Sequence, residues 1–205
     1  LVITEPALLP QTTMIVGVPM IISLAWRHRG GAVWRDVGVV TLGRLPGIGI
    51  AIAILTVASS RTIGLMAGAT VLAAVALSFW APAVPRTTPN LLAAGVVSAV
   101  FGTAVSIGGP PLALLFQHEA GPRLRSTMTS IMLFGGPLSL TFLALSGNVT
   151  GTDLRTGLAL APFSITGSYS ARWMIPHVDE KLRPIILSVC AFGAIVAMVR
   201  LAVSG

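Results

Sequence analysis

The chain has 205 residues, of which 54% are hydrophobic and 9% charged. An ordinary soluble domain carries about a quarter of its residues as charged side chains, so a soluble globular fold and a disordered chain are both excluded. Thirteen Lys and Arg against six Asp and Glu give a formal charge of +7. These charges stand singly between apolar runs rather than along one face, which argues against a nucleic-acid surface. The single cysteine, Cys190, supplies neither an internal disulfide nor a cluster of metal ligands.

A helix crossing a hydrocarbon core of about 30 Å needs about 20 apolar residues. Seven stretches approach that length. Residues 7–26 form the first, without a charge. Residues 37–60 form the second, which contains Arg44, and 62–80 the third. The fourth, 91–117, and the fifth, 127–147, are again free of charge. The sixth lies between Arg155 and Arg172, and the seventh follows Arg183, with Arg200 near its end. Short connections rich in Gly, Pro or charge separate them, as loops do. The sequence predicts an all-α polytopic membrane protein without a soluble domain. The first residue is Leu1 and no basic segment precedes the first run, so the reading expects a processed or incompletely represented chain rather than a cleavable signal.

The fourth run is interrupted by Gly108, Gly109, Pro110 and Pro111. Two prolines remove two amide donors and break the helix ladder, and irregular backbone at membrane depth persists only inside protein or beside a cavity. The basic residues decide whether this run crosses. If it crosses, five loop residues (Arg27, Arg29, Arg35, Arg86 and Arg155) oppose six. If it enters and returns, Arg27, Arg29, Arg35, Arg86, Arg123, Arg125, Arg172, Lys181 and Arg183 share one side, and only Arg61 and Arg155 lie opposite. The second asymmetry is the one that the positive-inside rule expects, and it favours a re-entrant segment.

Two halves are expected. A shift of 118 residues takes Thr12, Met14, Gly17 and Pro19 onto Ser130, Met132, Gly135 and Pro137; a shift of 117 takes Asp36 onto Asp153, and one of 116 takes Pro46 onto Pro162. Residues 1–90 are read as a first repeat and 91–205 as a second. Three crossings per repeat would invert one against the other. The counterpart of the 108–111 break falls before residue 1, so the first repeat is expected to lack its leading element.

Pro110 and Pro111 suit the start of a short helix, where missing amides matter least. The amides near Gly108 and Gly109 and the peptide dipoles then make a place for an anion, with hydroxyls from Ser106 and Thr103 as further donors. A packing kink with satisfied backbone is the alternative. Arg44 stands about 10 Å into its run at 1.5 Å per residue, and no Asp or Glu lies in any of the apolar runs to neutralise it. Such an arginine faces a cavity and an anionic guest, or snorkels to the headgroups. Gly135 and Gly136 interrupt the fifth run and serve close packing or substrate contact. The implied function is a secondary transporter of small anions. An anion channel would share the same basic site. An intramembrane enzyme would need a base beside Ser106, yet the neighbouring runs offer no His, Lys or acid, and neither G-x-S-x-G nor H-E-x-x-H occurs. No cofactor, metal or nucleic acid is expected; the partners are a small anion and membrane lipids.

The string Ser106-Ile107-Gly108-Gly109-Pro110-Pro111, followed by Pro122-Arg123-Leu124-Arg125-Ser126-Thr127, resembles the TauE/SafE sulfite exporter family, also called the toluene sulfonate uptake permeases. Its specific part covers residues 101–137, with Leu45-Pro46-Gly47 agreeing outside it. The resemblance implies a multi-pass inner-membrane protein with two related halves that moves sulfite, organosulfonates or other sulfur-containing anions. The resemblance leads one to expect that the family's first glycine-rich segment, partner of the 108–111 break, is missing from these 205 residues.

Overall fold

In the computed structural model, residues 9–27, 30–80, 84–119 and 121–174 are described. They form helices α1 (Leu9–Arg27), α2 (Trp34–Val57), α3 (Ser60–Trp80), α4 (Thr88–Val105), α5 (Gly109–Phe116), α6 (Gly121–Leu145) and α7 (Gly151–Met174). An apolar helix closes its backbone hydrogen bonds within itself, which is the condition hydrocarbon imposes. By length and composition α2, α4 and α6 are each able to cross a membrane. The seventh apolar run, after Arg183, lies outside the described residues.

Two helix starts correct the hydropathy boundaries. α2 and α7 open a few residues before the apolar runs and draw Asp36 and Asp153 into their first turns. A carboxylate there is favoured by the helix dipole. Asp153 accepts from the Thr150 amide at 2.9 Å and the Thr150 hydroxyl at 2.6 Å, while its own amide donates to Thr150 Oγ1 at 3.2 Å, a reciprocal cap.

The fourth run divides into α4 and α5. α4 starts behind Thr87, whose hydroxyl accepts from the Asn90 amide, and has a proline in its first turn. It stops at Ser106, which adopts the left-handed conformation (φ 60°, ψ 21°). The Ser106 amide and the Ile107 amide both turn back to the Phe101 carbonyl, the kind of closure that ends a helix. The chain then reverses. Gly108 lies against Ser98 and Gly102, with no room for a Cβ. A continued helix would put Gly102 and Gly108 about 9 Å apart along the axis. At the far end of α5, Leu115 and Phe116 join Leu91 from the start of α4 in one apolar cluster, and Glu119 pairs with Arg86, just before α4. α4 and α5 are therefore a helical hairpin that leaves on the side where it began, as the re-entrant reading of the basic residues requires.

Cross-contacts fix the remaining directions. α1 and α7 run parallel: Thr12 bonds Asp153, Ser164 bonds the Val16 carbonyl and Arg27 bonds the Ser168 carbonyl. α2 and α6 also run parallel, from Val33 on Thr127 to Arg44 on Gly135 and Ser139. α2 and α4 share the tightest interface: a Cβ at Gly43 would strike the Leu92 carbonyl and one at Gly95 the Val40 carbonyl, so the two backbones touch. One face of the bundle, the basic face, thus gathers Arg27, Arg35, Arg86, Arg123 and Arg125, with Arg61 and Arg155 opposite.

Burial runs opposite to that of a soluble protein. Leu42 is 62% exposed, Leu158 58% and Phe163 72%, while Arg44, Ser98, Thr103, Thr127, Ser139 and Asp153 are buried. Apolar side chains facing outward around a polar interior are what a lipid solvent selects. Trp26 and Trp34 are exposed at the basic face, where an interfacial aromatic belt belongs.

Candidate functional site

The interior is layered. Towards the basic face, Val37, Val40, Leu91, Leu112, Leu115, Phe116 and Ile131 form a cluster drawn from α2, α4, α5 and α6. Towards the other face, Ala51, Ala104 and Val105 pack with Ile63, Met66 and Ala67 of α3. Between them lies a polar layer centred on Arg44.

Because α2 begins at Trp34, Arg44 stands ten residues into a 24-residue helix, about 15 Å from its start at 1.5 Å per residue. That is deeper than the hydropathy boundary placed it. Its side chain does not snorkel: Arg44 is 2% exposed. Nη1 donates to Ser98 Oγ at 3.0 Å, and Nη2 makes longer bonds to Ser139 Oγ at 3.3 Å and the Gly135 carbonyl at 3.4 Å. Nε is buried without an acceptor. Every acceptor is neutral, and among the described residues no carboxylate pairs with Arg44. Asp36 and Glu119 are instead engaged by Arg86 at the basic face. Isolated charge at this depth costs about 2.5–3.5 kcal/mol even on insertion scales, so hydroxyls and carbonyls offset the burial only in part.

The oxygens around the guanidinium are linked onward. Thr103 Oγ1 donates to Ser139 Oγ at 3.0 Å, and Ser98 Oγ donates to the Gly108 carbonyl at 2.6 Å. The helix break therefore touches Arg44 through one serine. Gly102 sits close to both Arg44 and Gly108, and Gly135 lies flat against the guanidinium, where any Cβ would collide with it. Sequence reasoning named Arg44, Thr103, Gly108 and Gly135, and the fold brings these four into one layer. It missed Ser98 and Ser139. Ser139 was within reach of the sequence, one turn after Gly135 on the same face; Ser98 carries no local signal in its run. The remaining named residues lie beside this layer. Gly109, Pro110 and Pro111 form the first turn of α5, with open space where a Cβ of Gly109 would go. Ser106 is the left-handed residue at the end of α4, and Gly136 has nothing within 4 Å of a Cβ position.

At the basic face the same elements are tied by charge. Arg86 bridges Asp36, at 3.5 Å, and Glu119, and Glu119 also meets Arg123 at 3.9 Å. Beside this network a cavity of about 310 Å³ is lined by Val84, Pro85, Arg86, Leu115, His118 and Glu119.

A lipid-facing helical bundle with a hairpin that turns inside it, and a mid-depth arginine whose partners among the described residues are all neutral oxygens, has the architecture of a polytopic membrane transporter. The family model described as Sulfite exporter TauE/SafE matches residues 1–197. The chain belongs to that family, a family of exporter-type transporters for sulfur-containing anions. No curated protein and no solved structure gives a significant match.

Proposed function

We propose that this protein carries small sulfur-containing anions such as sulfite or organosulfonates outward across the inner membrane, and that Arg44 with the surrounding hydroxyls and the 108–111 break is where the anion binds. One observation carries the reading: a fully buried guanidinium with an orphan Nε and, among the described residues, no carboxylate partner. A sulfonate or sulfite head presents acceptor oxygens that match a guanidinium fork, the hydroxyls of Thr103 and Ser139, and the amides of Gly108 and Gly109. Enclosure of Arg44 between two apolar layers favours a carrier that opens to one side at a time over a continuous pore. The concentration of basic residues at one face supports placing that face in the cytoplasm.

Two inverted halves are part of the same proposal. α2 and α7 are each 24 residues long and begin at Trp34 and Gly151, the same 117-residue offset that relates Asp36 to Asp153. They run in opposite senses, as do α1 and α6, which supports the 1–90 and 91–205 division.

The test is binding and flux. Purified protein should bind methanesulfonate and sulfite, and proteoliposomes should show saturable uptake of both without channel-like currents. Arg44→Ala should abolish binding in a folded protein and Arg44→Lys should weaken it at least tenfold, because an ammonium cannot reproduce the fork. Unchanged affinity in folded Arg44→Ala would remove the site; unsaturable current would replace the carrier by a channel.

A further inference from the structure

The most constrained atom in the polar layer is the Ser98 hydroxyl. Ser98 is 0% exposed. Its oxygen accepts from Arg44 Nη1 at 3.0 Å and its one proton goes to the Gly108 carbonyl at 2.6 Å. A serine hydroxyl has a single hydrogen to donate. Among the described residues, no other side chain hydrogen-bonds both Arg44 and the reversal between α4 and α5.

Building on the anion site proposed above, we propose that Ser98 is a positioning residue that couples anion occupancy at Arg44 to the docking of the α4–α5 hairpin. In the structure the Arg44 charge polarises the Ser98 hydroxyl, which strengthens its bond to Gly108, since linked hydrogen bonds reinforce one another. An anion is a stronger acceptor than a serine oxygen, so an anion at Arg44 draws the guanidinium towards itself and away from Ser98. Ser98 then loses the charge that reinforces its bond to Gly108, so anion arrival weakens the side-chain bond that ties Gly108 to α4. The reversal is otherwise held by the Ser106 and Ile107 amides on the Phe101 carbonyl and by the close fit of Gly108 against Gly102, and Ser98 adds a side-chain tie to α4. α5 carries Leu112, Leu115 and Phe116 of the apolar layer that closes Arg44 from the basic face. Weakening the hold on its inner end therefore loosens that layer when the site is filled.

The experiment separates binding from movement. In a Cys190→Ser background, Ala113→Cys on the exposed side of α5 is labelled with a fluorophore, and the response to methanesulfonate and sulfite is read beside equilibrium binding and proteoliposome flux. With Ser98 present, the anion should change the fluorescence with the same concentration dependence as binding. Ser98→Ala should keep the dissociation constant within tenfold, abolish the fluorescence response and cut the maximal flux at least tenfold. Ser98→Thr, which keeps the hydroxyl, should restore flux. Ser98→Cys, nearly isosteric with a weak S–H donor, should reproduce the flux defect and serves if the alanine variant does not fold. A fluorescence response and flux that survive in the Ala or Cys variant overturn the proposal, as does a loss of binding equal to the loss of flux, which makes Ser98 an ordinary ligand. Retained binding in Arg44→Ala would instead overturn the anion site itself.

Discussion

Replacing Gly135 by alanine perturbs the polar layer without touching a charge. A Cβ on Gly135 would fall 2.7 Å from Arg44 Cζ and 2.8 Å from Cδ, closer than side-chain atoms pack, so the guanidinium has to move. It is pinned by Ser98 and Ser139, and hydrogen bonds from a charged donor are worth about 1.5–3 kcal/mol each. Giving up one of them, with overpacking of about 1–3 kcal/mol and less the roughly 1 kcal/mol of helix propensity that alanine gains, sets the expected destabilisation at about 1.5–5 kcal/mol. A guanidinium displaced from the layer should also lower methanesulfonate affinity at least tenfold, which corresponds to about 1.4 kcal/mol. Gly136→Ala is the matched control. It has nothing within 4 Å of its Cβ position and gains about 0.8–1.0 kcal/mol of helix propensity, so stability should hold or rise with affinity unchanged. Thermal unfolding in detergent and calorimetric titration with methanesulfonate measure both quantities. Wild-type affinity in Gly135→Ala, or a loss confined to Gly136→Ala, would refute the packing argument.

Two further outcomes concern the faces of the bundle. Arg86→Gln leaves Asp36 without its cation and Glu119 with only the longer contact to Arg123; Arg86 is part-exposed, so the cost should fall between exposed and buried pairs, about 1–2 kcal/mol, read as a lower unfolding temperature that Asp36→Asn in the same chain partly restores. Asp153→Ala removes the α7 cap and the acceptor of Thr12; lost caps cost about 0.5–2 kcal/mol, and Asp153→Asn should lose less, measured in the same unfolding assay.

Particular residues mark how far the sequence reached. The break at Gly108 and Pro110 was legible because proline and glycine act on their own backbone wherever they stand. The asymmetry of Arg86, Arg123 and Arg125 against Arg61 and Arg155 was equally plain and foretold the returning hairpin. Helix starts were less legible: hydropathy counts Asp36 and Asp153 against a membrane helix, whereas the first turn welcomes a carboxylate. Ser98 was invisible, since a lone serine in an apolar run has no period and no partner in sequence.

The amino-acid sequence by itself thus determined the solvent, the helical class, the place of the interruption and the family. Each follows from composition or from constraints that a residue imposes locally. The tertiary structure alone decided that the reversal turns on Ser106, that Arg44 points inward, and that Ser98 and Ser139 accept its hydrogen bonds. Those bonds join residues 54 and 95 positions apart, and they exist only because close glycine contacts set the faces that α2, α4 and α6 turn to one another.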